Sequence, residues 1–199
     1  IVSVVPGKYG KGLVSLALAE SFLEKGMDSY EIVSLAEKGR MQAESVGKTE
    51  QCFVVVWLLG QLSLLSGHAE DALERLLSFE KTAAQEAPRL LPNIRALKCW
   101  LFMYQGRIKE VMEWSKDAPD EHQDFWSMER LRYLVKARIY LLNGRYEQAV
   151  GLLKQLLYYA DRMHRTYIRI EAKLLLAEAL YHMGWGDWKQ SMQECITEA

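Results

Sequence analysis

Histidine and cysteine are the side chains best able to hold a metal or attack a substrate, and their spacing here favours neither. His68, His122, His164 and His182 make no His-x-x-x-His pair, and Cys52, Cys99 and Cys195 make no Cys-x-x-Cys pair, so no metal site is expected. Ser66, His68 and Asp71 gather the letters of a nucleophile, a base and an orienting carboxylate within a few residues. A triad needs those groups to converge from separate elements, so the segment reads as one helix ending and another beginning. Asp117, Asp120, Glu121 and Asp124 could supply an acid–base pair of carboxylates, but their clustering is that of a solvated acidic connection. Val4 to Leu13 runs from apolar residues into glycines, as a phosphate loop does. That loop requires Gly-x-x-x-x-Gly-Lys and then Ser or Thr, and the first and last of these places are held by Val5 and Gly12. A flexible connector is expected there. With no catalytic constellation, neither enzymatic activity nor a cofactor is expected of this chain.

The remaining candidates depend on the elements that carry them, and those elements repeat. Gly26, Gly67, Gly106, Gly144 and Gly184 each close an apolar segment and open a polar one, at steps of 41, 39, 38 and 40 residues. Seven residues before each stands a small side chain: Ala19, Gly60, Cys99, Ala137 and Ala177. Five residues after them come Ala72, Val111 and Ala149, with Ser191 in the last unit if its turn is counted from Gly186; Glu31 breaks the rule in the first. Small residues at these places let paired helices approach closely. Between the glycines the apolar spacing is helical, as in Leu131, Leu134, Val135, Leu141 and Leu142, and Ala, Leu, Glu, Lys and Arg predominate. Pro6, Pro88, Pro92 and Pro119 fall in connections or at helix starts. Phe53 to Trp57, with three valines, has strand propensity, but its place in the beat assigns it to a helix.

The expected fold is all-α: five helix–turn–helix units stacked into a right-handed superhelix, forming a single domain over 1–199. First helices are expected near 12–25, 49–66, 90–105, 125–143 and 166–183. Their partners are expected near 29–46, 69–84, 107–116, 146–163 and 187–199. Stacking such hairpins buries faces that no hairpin can bury alone and leaves a concave side.

Asn143-Gly144-Arg145-Tyr146-Glu147-Gln148-Ala149, with Ala137 and Tyr140 before it, resembles the turn of a tetratricopeptide repeat. In such stacks the first helix of each pair lines the concave face, one residue after the small position and at neighbouring turns. The resemblance therefore implies a row formed by Gln61, Trp100, Arg138 and Glu178, flanked by Trp57, Asn93, Tyr104, Glu171, Tyr181 and His182. Aromatic faces beside hydrogen-bonding groups suit a sugar-like small molecule and equally a peptide. Arg138 and Glu178 also have a plainer role, as an ion pair across adjacent repeats. Trp126, Trp185 and Trp188 fall near unit edges, where packing or end-surface roles are expected.

A further similarity covers roughly Leu97 to Ala199. Ala137 to Tyr146, followed by Arg169-Ile170-Glu171-Ala172-Lys173-Leu174-Leu175-Leu176-Ala177, with Trp114 and Phe125 upstream, resembles the helical-repeat region of MalT-like, LuxR-type ATP-dependent transcription activators. The resemblance implies a regulatory superhelix that receives an inducer or partner and controls self-association, cut from a longer chain with an upstream ATPase module and a downstream DNA-binding module. The alternative is a free-standing scaffold for a peptide or protein.

Composition excludes other classes. Half of the 199 residues are hydrophobic and 26% are charged, ordinary values for a globular chain. Lys plus Arg numbers 25 and Asp plus Glu 26, so the net charge is −1 and direct nucleic-acid contact is not expected. The longest apolar run, Cys52 to Leu59, is far short of the roughly 20 residues of a membrane span. Three cysteines at unrelated spacings suit reduced thiols and a cytoplasmic location.

Overall fold

The structure, a computed structural model, describes residue 10, residues 12–119 and residues 129–198. Among these residues the chain is all-helical, with no strand. The elements are α1 (Leu13–Glu24), α2 (Ser29–Glu44), α3 (Thr49–Leu65), α4 (Ala69–Glu86), a 3-10 turn (Pro88–Leu90), α5 (Leu91–Tyr104), α6 (Ile108–Trp114), α7 (Arg130–Leu142), α8 (Tyr146–Arg162), α9 (Thr166–His182) and α10 (Trp188–Glu198). Each expected helix is present, most ends within a residue or two; the phosphate-loop-like segment up to Tyr9, the acidic cluster beyond Pro119 and Trp126 lie outside the described residues.

The glycines of the forty-residue beat all do the same thing. Gly26, Gly67, Gly106, Gly144 and Gly184 have φ of 62, 80, 67, 66 and 72°, a left-handed conformation that a Cβ disfavours. Each ends a first helix in a Schellman closure. At the fourth, Gly144 N–H donates to the Leu141 carbonyl at 3.0 Å and Arg145 N–H to that of Tyr140 at 2.8 Å. Gly47 repeats the closure between hairpins, and His164, with φ 51°, does so without a glycine.

The helices group into two compact units, residues 1–94 and 95–199. In the first, α1 packs on α2, α2 on α3 and α3 on α4, while α1 also meets α3, the first helix of the next hairpin. Its core joins Leu16 and Ala19 of α1, Ala36 of α2 and Val55, Leu58 and Leu59 of α3. The valine segment is helical because burial of Val55 and its neighbours outweighs β propensity. Glu31, which breaks the small-residue rule, is exposed; Ile32 takes the inward place at 1% exposure. Gly39, a glycine inside α2, has a packing reason: a Cβ there would lie 2.7 Å from Leu16 Cγ.

In the second unit α7 packs on α8, α8 on α9 and α9 on α10, and α7 also meets α9. Tyr133, Leu134, Ala137 and Leu141 of α7 meet Ala149, Leu152, Leu153 and Leu156 of α8 and Ala172, Leu175, Leu176, Ala179 and Leu180 of α9. The small residues Cys99, Ala137 and Ala177 are at most 1% exposed, as close helix approach requires. No helix among the described residues is long and apolar enough to cross a membrane.

Candidate functional site

In the second unit, the first helices of three successive hairpins converge on one solvent-open cavity of about 240 Å³. Trp100, Met103 and Tyr104 of α5, Arg138, Leu141 and Leu142 of α7, and Leu175 and Glu178 of α9 line it. Positions three and four residues apart share a helix face, which is why each helix delivers two or three of these side chains together. Leu141 and Leu175, 8% and 6% exposed, belong to the core and form an apolar floor. Trp100 is nearly buried and meets Tyr104 edge-on, with ring centroids 4.9 Å apart, while Tyr104 remains 62% exposed.

The polar groups are unequal. Arg138 Nη2 lies 2.7 Å from Glu171 Oε1, both side chains about a fifth exposed, so the guanidinium charge is already met. Glu178 is exposed and has no ion-pair partner among the described residues. The pair therefore differs from the Arg138–Glu178 pairing that register suggests. Side chains on a helix lean toward its N-terminus, so Arg138 reaches back along α9 rather than straight across. Counting Arg138, Glu171 and Glu178 together, this polar group carries one net negative charge.

The other expected groove residues do not line this cavity. Tyr181 and His182, at the end of α9, join an aromatic group outside the cavity: His182 stacks on Tyr146 with centroids 5.0 Å apart, and Tyr181 stands edge-on to Trp188 at 5.4 Å. Asn93 is not on an open face; it is 5% exposed, and its Oδ1 lacks a hydrogen-bond partner among the described residues. Trp57 and Gln61 lie one turn apart on α3 in the first unit, both half-buried. Met103, Leu141, Leu142 and Leu175 were missed by the sequence reading because apolar residues on a helical stripe read as core. Leu142 carried a signal: as the second of a leucine doublet it cannot share Leu141's inward direction, and it is 55% exposed.

Among the described residues no group of His, Cys, Asp and Glu could hold a metal ion. The three cysteines are free thiols, and burial pushes Cys99 up to about 12, far from the thiolate that attack requires.

No protein-family model matches the chain, and no curated protein matches it. Among solved structures it is similar to two crystal structures of nearly identical TPR-like repeats from Podosopora anserina, described as kinesin light chain, one of them a single-substitution variant. The variant is 19% identical with a TM-score of 0.49 and coverage of 93% of this chain and 92% of the other. The second is 20% identical with a TM-score of 0.49 and coverage of 93% and 91%.

Proposed function

We propose that this chain is a helical-hairpin scaffold that binds a peptide or protein partner through the first-helix face of its second unit. The observation that carries this reading is the cavity shared by α5, α7 and α9. Small-molecule sites usually enclose about 300–1,000 Å³. An open cavity of about 240 Å³ is better matched to one side chain of a docked polypeptide than to a whole inducer. Its apolar floor with an exposed aromatic rim is the composition that anchors a partner's side chain.

The regulatory reading, an inducer-receiving domain of a MalT-like activator that controls self-association, is supported by the phrases around Ala137–Tyr146 and Arg169–Ala177. It makes a different demand: a small molecule must bind here. Peptides selected from a random displayed library against the purified chain, and titrated by fluorescence polarisation, distinguish the two. Tyr104→Ala and Leu142→Asn alter exposed side chains, so each is expected to keep the melting temperature while weakening selected peptides at least tenfold. Peptides that bind both variants undiminished would place the partner surface elsewhere. A saccharide that raises the melting temperature where peptides do not would favour the activator reading; at 100 times its Kd a ligand adds about 2.7 kcal/mol.

A further inference from the structure

The charges around the cavity point to what enters it. Leu141, Leu142, Leu175 and Met103 offer an aliphatic surface, Tyr104 an exposed ring, and Glu178 a carboxylate without a partner among the described residues. Arg138, the cation lining the cavity, is occupied by Glu171 at 2.7 Å. An incoming carboxylate would meet the repulsion of Glu178 and would have to displace Glu171 from Arg138. An incoming ammonium or guanidinium would find an unmatched carboxylate and an aromatic face, both of which attract cations. A purely aliphatic side chain would fill the floor but leave Glu178 uncompensated.

We infer that the cavity takes the side chain of a lysine or arginine in the partner, its methylene stem on the leucine floor and its charge met by Glu178 and the Tyr104 ring. Long basic side chains are suited to such a place because their stems are apolar and only their heads are charged. This inference rests on the first-helix face being the partner surface, and deepens that reading to a basic specificity.

Four mixtures of blocked heptapeptides test it, with lysine, arginine, norleucine or glutamate fixed at the centre and uncharged residues randomised around it. Binding to the full chain is followed by the indole N–H resonance of Trp100, assigned through Trp100→Phe. The lysine or arginine mixture is expected to bind at least tenfold more tightly than norleucine, and norleucine more tightly than glutamate. Glu178→Gln should erase the preference and Glu178→Lys reverse it toward glutamate; Glu178 is exposed, so both variants keep the fold. Equal binding of all four mixtures would overturn the basic specificity while leaving the peptide-binding face in place. Tightest binding by glutamate would overturn it in favour of Arg138 as the recognising group. No movement of the Trp100 resonance with any mixture would remove both the specificity and the face.

Discussion

Arg138 of α7 is joined to Glu171 of α9 by a contact of 2.7 Å that ties the first helices of two successive hairpins together beside the candidate cavity. It holds the guanidinium and leaves Glu178, two turns further along α9, as the cavity-lining carboxylate without an ion-pair partner among the described residues. Exposed pairs contribute about 0–1 kcal/mol, whereas removing one partner of a fully buried pair costs about 3–5. With about a fifth of each side chain exposed, Arg138→Met is expected to cost about 1–2 kcal/mol. A double-mutant cycle with Glu171→Gln, read from denaturant midpoints at constant slope, should give a coupling of about 1 kcal/mol. Strictly additive single effects would show that the pair does not tie the helices.

Two helical glycines should respond oppositely to alanine. A methyl on Gly39 would sit 2.7 Å from Leu16 Cγ, inside the first unit's core, whereas one on Gly151 of α8 would meet nothing within 4 Å. Gly39→Ala is expected to destabilise by about 1–2 kcal/mol net of its gain in helix propensity. Gly151→Ala should stabilise by about 0.5–1 kcal/mol. Thermal melts of the two variants check the pair, and a stabilised Gly39→Ala would contradict the close approach of α1 and α2.

The closure between α8 and α9 is strained where the others are relaxed. His164 holds φ at 51°, the conformation that glycine occupies in the other turns of this type. Left-handed backbone costs a residue with a Cβ about 1–2 kcal/mol. His164→Gly is therefore expected to raise stability by about 0.5–1 kcal/mol after its entropic penalty in the unfolded chain. Gly144→Ala should lower it by about 1 kcal/mol through backbone strain, since a Cβ there meets nothing closer than Tyr146 at 4.0 Å. Differential scanning calorimetry of the two variants decides.

Burial of Cys99 has a consequence at high pH. Desolvation raises its thiol from 9.0 to about 12 in the folded chain. The folded form thus holds its proton in a range where the unfolded form releases it, so the contribution to stability is full below pH 9 and lost as pH climbs toward about 12. Lysines and tyrosines titrate in the same range, so the comparison is with Cys99→Ala, whose stability should fall less steeply between those values. Burial also pushes the half-buried Cys52 thiol up, but in the native wild type Cys99 should react with iodoacetamide at pH 8 much more slowly than Cys52. Alkylation of Cys99 as fast as Cys52 would contradict the burial.

The helices and their turns were legible in the sequence because both are local. A glycine every forty residues specifies where the backbone must turn left-handed, and 3.6-residue periodicity specifies which side chains each helix buries; α9 was expected near 166–183 and runs from Thr166 to His182. Trp100, Tyr104, Arg138 and Glu178 could be placed on first helices by the same reasoning. What periodicity does not carry is how neighbouring helices tilt, or where a long side chain finds its partner. Those depend on packing between residues far apart in the chain. Hence only the tertiary structure decided that Arg138 turns to Glu171, that Asn93 is buried, that Tyr181 and His182 join Tyr146 and Trp188, and that two core leucines, Leu141 and Leu175, double as the floor of a cavity.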